Sequence, residues 1–205
     1  MSKLLIEPQF AGSAAYFAAL LSYDEIWWET GEHFRKGSYR NRCHILGANG
    51  LLRLSIPLQH GKNQHTAMKD VRISYDQNWQ KIHWESLVSA YRRSAFFEYY
   101  EASFEPLFHE QTETLLAFNL KMTEKVFSHL KISKTIQIIH EYIEPNLFDG
   151  VDLRNRIHPK EKTTKVFPSY PQVFSDRFAF EPNLSILDVL FNLGPKTLDY
   201  LNRSN

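Results

Sequence analysis

A single cysteine, Cys43, stands in a chain of 205 residues. No intrachain disulfide can form, and a zinc–cysteine cluster is excluded. The sequence has little continuous apolar stretch. Its N-terminal run is Leu4 to Ile6, too short for a signal peptide. Nothing approaches the ~20 residues of a membrane span, so a cytoplasmic soluble protein without a membrane span is expected. Charge of one sign is also scarce: 24 Lys and Arg face 23 Asp and Glu, a net charge of +1. General nucleic-acid binding needs a more basic chain than that. No Gly-x-Gly-x-x-Gly, Walker A, His-Glu-x-x-His, Gly-x-Ser-x-Gly or Asp-x-Asp pattern occurs, and there is no internal repeat. The nine histidines show no clean metal-ligand spacing, although His60 and His65 share one loop. The sequence names no cofactor and leaves that identity open.

What is present is an ordinary globular composition with many rings. Hydrophobic residues make up 43% and charged residues 23%, which excludes disorder for the chain as a whole. Aromatics reach 14%, and rings serve both cores and stacking sites. The length suits one domain over 1–205, with a mainly helical sub-region from about 79–132.

Lys3 to Glu7 reads as a short buried strand stopped by Pro8. Gly12-Ser13 offers a turn and a cap, and Ala14, Phe17, Ala18 and Leu21 fall at helical spacing. Glu25 to Glu29 reads as a second strand, completing a βαβ unit with a parallel pair. Arg42 to Leu46 and Leu52 to Leu58 alternate like a hairpin turned at Asn49-Gly50, and the second arm is expected in the same sheet as the first two strands. Gln59 to Lys69 reads as a polar loop, and Val71 with Ile73 as one more short strand. Trp79, Ile82, His83, Ser86, Leu87, Ala90 and Tyr91 share one helical face. Phe96 to Tyr100 reads as a tight aromatic connection, and a long helix is expected from about Glu105 to Lys131. Thr135 to Tyr142 reads as a late strand buried on both faces. Asn146 to Ser169 is a polar, basic, loop-like connection. Ile186, Leu187, Val189, Leu190 and Leu193 mark a final helix capped at Asn183 or Ser185 and ended by Gly194-Pro195. The fold class is α/β: a mixed sheet opened by a βαβ unit, helices packed on it, and a helical C-terminal part.

Ligands of βαβ units bind at the carboxyl ends of the strands, which puts Gln9 at a binding edge or in a loop-stabilising role. Arg40, Asn41, Arg42 and His44 suit a phosphate or carboxylate, or else a solvated strand end. Lys81, His83, Trp84 and Tyr91 combine a cation, an imidazole and two rings. His83 is the general-base candidate, with a hydrogen-bonded core histidine as the other reading. The run Arg154 to Lys160 fits an anion such as a sugar phosphate, or a flexible charged loop. One pocket lined by Gln9, Arg42 and His83 is expected.

Several pieces then occur together in order. They are Glu7-Pro8-Gln9-Phe10, Tyr16-Phe17, Tyr23-Asp24, Asn41-Arg42-Cys43-His44-Ile45 and Leu54-Ser55-Ile56-Pro57-Leu58. Trp79, Lys81-Ile82-His83, Tyr91 and Asn183 to Gly194 follow. Together they resemble the WbqC-like protein family over nearly the whole chain. Pro8-Gln9-Phe10-Ala11-Gly12 departs from the Gln-Pro-x-Tyr-Phe-Pro opening of that pattern. The resemblance implies bacterial surface-polysaccharide biosynthesis, as in O-antigen and capsule clusters. It carries two readings. The first is a transferase putting an acyl or aminoacyl group on an activated amino sugar. Its catalytic residue is His83, and its substrate-binding residues are Gln9, Arg40, Asn41, Arg42, Lys81, Trp84 and Tyr91. The partner is then a small molecule, a nucleotide sugar or an acyl donor. The second reading is a non-catalytic partner or scaffold of the same pathway.

Overall fold

A computed structural model describes residues 1–59, 65–161, 163 and 165–203. His60, Gly61 and Asn63 of the expected polar loop, and Lys162 of the basic segment, lie outside the described residues. β1 (Lys3–Ile6), α1 (Ala14–Ser22) and β2 (Glu25–Glu29) form the expected βαβ unit, with Leu5 paired to Trp27 in a parallel register. Leu4, Leu5 and Ile6 are fully buried, so β1 is covered on both faces, as a central parallel strand must be. β3 (Arg42–Gly47) and β4 (Gly50–Ser55) form an antiparallel hairpin. α2 (Trp79–Tyr91), α3 (Phe97–Phe104) and α4 (Leu115–His129) follow. β5 (Ile136–Ile139) and β6 (Val151–Asp152) return to the first sheet, and α5 (Ile186–Leu193) and α6 (Thr197–Arg203) close the chain.

The strands divide into an all-parallel sheet ordered β5-β2-β1-β6 and the separate two-stranded hairpin. The α/β class holds, but the hairpin does not join the βαβ sheet. β4 ends at Ser55, and Leu58 makes only an isolated bridge to Ile73, so Val71 and Ile73 form no strand. Gly47 pairs with Gly50, which makes Ala48-Asn49 the turn and puts Gly50, at φ 102°, in the strand start. The late strand is corrected too. β5 is an edge strand with half-exposed side chains, so it is not buried on both faces.

The helices account for the aromatic content. The rings of Tyr91, Phe97, Tyr100 and Phe104 surround Phe191 of α5 at 5.1 to 6.5 Å between centroids. The Phe96–Tyr100 run is therefore a core-facing helix rather than a connection. The expected long helix is two pieces, a 3₁₀ turn at Glu105–Phe108 and α4. Thr114 starts α4 by accepting a hydrogen bond from Ala117 N. Ile82 departs from the buried face assigned to it and is exposed. α5 is capped by Ser185, whose hydroxyl accepts from Leu187 N, and ends at Gly194 with φ 54°. Asp188 of α5 accepts from the Tyr91 and Tyr170 hydroxyls at 2.8 and 2.5 Å, tying the stretch around Tyr170 to the helical layer. Among the described residues, no helix is long and apolar enough to cross a membrane.

Candidate functional site

The carboxyl ends of β1 and β2 hold a buried network of charge. Glu7 follows β1, and Pro8 stops that strand. Glu29 closes β2. Glu7 Oε1 accepts from Gln9 Nε2 at 2.9 Å, and Oε2 accepts from Asn155 N at 2.8 Å. Glu29 Oε1 accepts from Glu32 N at 2.7 Å, and Oε2 accepts from Arg154 Nη1 at 3.0 Å. Arg154 also grips Asp152, with Nε and Nη2 donating at 3.0 and 2.6 Å, the fork geometry that suits a carboxylate. Arg40 Nη2 donates to Glu32 Oε2 at 2.7 Å and to Asn155 Oδ1 at 3.0 Å. Asn155 Nδ2 donates to Glu32 Oε1 at 2.7 Å.

Asn155 is the joint of this network. Its backbone sits at φ 62°, a left-handed conformation that asparagine tolerates better than most residues. Every polar group of its side chain is engaged, and its N–H reaches Glu7. The effect is to lock the loop after β2 to the loop after β6. The charges are unequal, since four carboxylates face two guanidiniums. Burial pushes the Glu7 carboxyl up, opposed by Arg40, Asn155 and Gln9. Burial likewise raises Glu29, opposed by Arg154. Burial alone would lower the Arg154 guanidinium, but its bonds to Asp152 and Glu29 outweigh that and hold it above its ordinary value.

Three cavities follow one another along this edge. The first, 730 Å³, is bordered by Gly31 to Lys36 and Tyr142. The second, 400 Å³, is bordered by Arg35, Asp152, Arg154, Asn155 and Arg156. The third, 260 Å³, is bordered by Arg156, Ile157, His158 and Asn183, with Ala15 of α1. Arg35 borders the first two and Arg156 the last two, so the three are neighbours in a row, called the trough below. Arg35 and Arg156 are both exposed. His158 Nδ1 accepts from Lys160 N at 3.2 Å, so the neutral ring carries its proton on Nε2 as a donor. Burial lowers the His158 imidazole; Glu161 opposes this, while Lys160, Arg35 and Arg40 add to it. Among the described residues, no group of three or more His, Cys, Asp or Glu side chains is arranged to hold a metal ion.

Residues 7–153 and 141–200 of the chain match the WbqC-like protein family. The chain belongs to the WbqC-like protein family. It is also similar to a Mycobacterium tuberculosis protein named "Uncharacterized protein Rv1507c". The two are 24% identical over 229 residues, covering 96% of each chain. No solved structure matches.

In this WbqC-like chain the residues singled out from sequence fall in three places. Gln9 and Arg40 belong to the buried network. Asn41 is close by, but its Nδ2 donates to Ile56 O at 2.8 Å, a bond at the start of the hairpin. Arg42 is half-buried on β3, where burial and Arg53 hold its guanidinium below the ordinary value. His44 lies on the same strand, its ring 5.5 Å from that of Tyr39, and Lys81, His83, Trp84 and Tyr91 belong to α2. His83 is 5% exposed, its ring 6.0 Å from Phe10 and 5.1 Å from Trp79, and burial pushes its imidazole down to about 4. Trp84 stacks on Phe108 and meets Phe97 at a tilt, and Tyr91 is spent on Asp188. Lys81 is exposed beside Glu85 at 3.7 Å. Arg42 and His83 both meet Ser55, by strand pairing and by a backbone hydrogen bond, while Gln9 is fully buried, and none of the three borders the trough.

The residues missed by sequence reasoning are Glu7, Glu29, Glu32, Arg35 and Asp152, while Asn155 was read only as part of the basic run. A signal existed for two of them. Glu7 and Glu29 are charged residues ending apolar strands, where an open βαβ sheet binds its ligand. The basic run was noticed as a unit, but its members separate: Arg154 turns inward to two carboxylates while Arg156 stays exposed.

Proposed function

We propose that this WbqC-like protein serves bacterial surface-polysaccharide biosynthesis as a transferase acting on an activated amino sugar, held by its anionic part in the trough. The observation behind this is the convergence of Arg35 and Arg156 on one cavity. Two loops of opposite ends of the chain bring them there, locked by Arg40, Glu32 and Asn155. Guanidiniums placed this way bind phosphate oxygens by charge-assisted hydrogen bonds. His158 Nε2 adds a donor at the neighbouring cavity. The transferred group is an acyl or aminoacyl unit.

The test titrates nucleotide-linked amino sugars and acyl donors against the protein and follows group transfer. Arg156→Ala is expected to weaken sugar binding about tenfold or more while leaving the melting temperature unchanged, as for an exposed charge that contacts only ligand. Unchanged affinity in Arg35→Ala and Arg156→Ala together would remove the trough as the site. The packing of His83 among Phe10 and Trp79 favours the second reading, a non-catalytic pathway partner. Sugar binding without turnover under any donor, together with tight binding to one pathway enzyme, would select it.

A further inference from the structure

Resting on the trough as the binding site, we infer that its ligand is a nucleoside diphosphate derivative laid along it in one direction. In this arrangement the diphosphate lies between Arg35 and Arg156, the base lies at Tyr142, and the attached group lies at Asn183. Three observations support this order. The two exposed guanidiniums border the same middle cavity, the arrangement that brackets two linked phosphates better than one. The two end cavities differ in chemistry. At the first, Tyr142 is 51% exposed, with one ring face towards Arg154, whose guanidinium carbon is 5.3 Å from the ring centroid. A tyrosine fixed on one face by a cation offers the other for stacking a planar base. Its place relative to the β2 loop is also fixed, because Gly31 packs on it so closely that a Cβ there would lie 2.4 Å from Tyr142 N. The third cavity is much smaller, 260 Å³ against 730 Å³, and mixes apolar Ala15, Leu153 and Ile157 with polar Asn183 and His158. It suits a ring-sized polar group. Prenyl diphosphates share the diphosphate chemistry, but the large cavity is bordered by Glu32, His33, Arg35 and Lys36, which a prenyl chain would have to desolvate.

The experiment measures dissociation constants of the full chain for inorganic pyrophosphate, for a panel of UDP, GDP, CDP and dTDP, and for geranyl diphosphate. The best nucleoside diphosphate is expected to bind about tenfold or more tightly than pyrophosphate, the worth of one stacked base. Tyr142→Ala should erase that difference while leaving pyrophosphate affinity unchanged. Arg35→Ala and Arg156→Ala should each weaken pyrophosphate and nucleotide alike. Equal affinity for pyrophosphate and every nucleoside diphosphate, a tighter fit for geranyl diphosphate, or a nucleotide preference that survives Tyr142→Ala would overturn the inference. In those cases the arginine-dependent anion site would still stand. Loss of all arginine dependence would instead overturn the site itself, and the inference with it.

Discussion

His83 shows how one side chain changes meaning with its surroundings. Its native imidazole is held down to about 4 by burial, against an unfolded value of about 6.5. Above the unfolded value neither state carries the proton, so the residue adds no pH dependence. Between the two values the unfolded chain binds a proton that the native state refuses, and stability falls as pH falls. Below about 4 both states are protonated and the slope vanishes. Urea midpoints at pH 7 and pH 5 should therefore drop for the native sequence, with a contribution of up to about 1.4 kcal/mol per pH unit from this group. His83→Phe should show a smaller drop over the same interval. An identical drop in both would place the acid sensitivity elsewhere.

At the scale of the elements, α5 is the clearest case. Ile186, Leu187, Val189, Leu190 and Phe191 are fully buried, and Ser185 and Gly194 close its ends. Leu190→Ala should cost about 2–5 kcal/mol in chemical denaturation, the usual loss for a truncated core leucine. A change within about 0.5 kcal/mol would contradict the packing. This helix, β2 and the βαβ unit were legible because a local pattern decides each of them. Apolar spacing, a polar cap and a glycine at the end all act within a few residues. The stretch from Glu105 to Lys131 was read as one helix because its apolar stripe runs across the break. The break itself comes from Pro106 in the first turn of a 3₁₀ helix and from a fresh cap at Thr114. The candidate site was less legible for a different reason. Asp152, two residues back, is a local partner of Arg154, but the carboxylate that draws it into the core, Glu29, is 125 residues away, and no local pattern announces it. Gln9 and Arg40 were picked for their place near strand ends. The carboxylates that complete their network looked like ordinary strand-end charges.

On the scale of the whole molecule, the parallel sheet is assembled from the two ends of the sequence. β1 and β2 are its central strands, while both edges, β5 and β6, come from beyond residue 135. A chain cut after residue 130 should therefore fail to hold its fold, and not merely lose the site. It would leave Glu7 and Glu29 facing the core without Asn155 and Arg154, and unpartnered buried carboxylates are strongly destabilising. Far-ultraviolet circular dichroism and limited proteolysis of the 1–130 fragment check this. A protease-resistant fragment with a cooperative melt would show that the edges are dispensable.

The same strand order has a consequence for the making of the protein. A ribosome releases β1 and β2 about a hundred residues before β5, and longer still before β6 and the turn at Asn155. Through that interval two apolar strands wait with unpaired edges, the condition in which nascent chains stick to one another or are held by chaperones. Contacts between Glu7 and Asn155, or between Ala15 and Asn183, span 148 and 168 residues, so closing the sheet is a slow, late event. The trough cannot exist on a partly made chain, and a messenger broken anywhere before its last quarter yields no product that carries it.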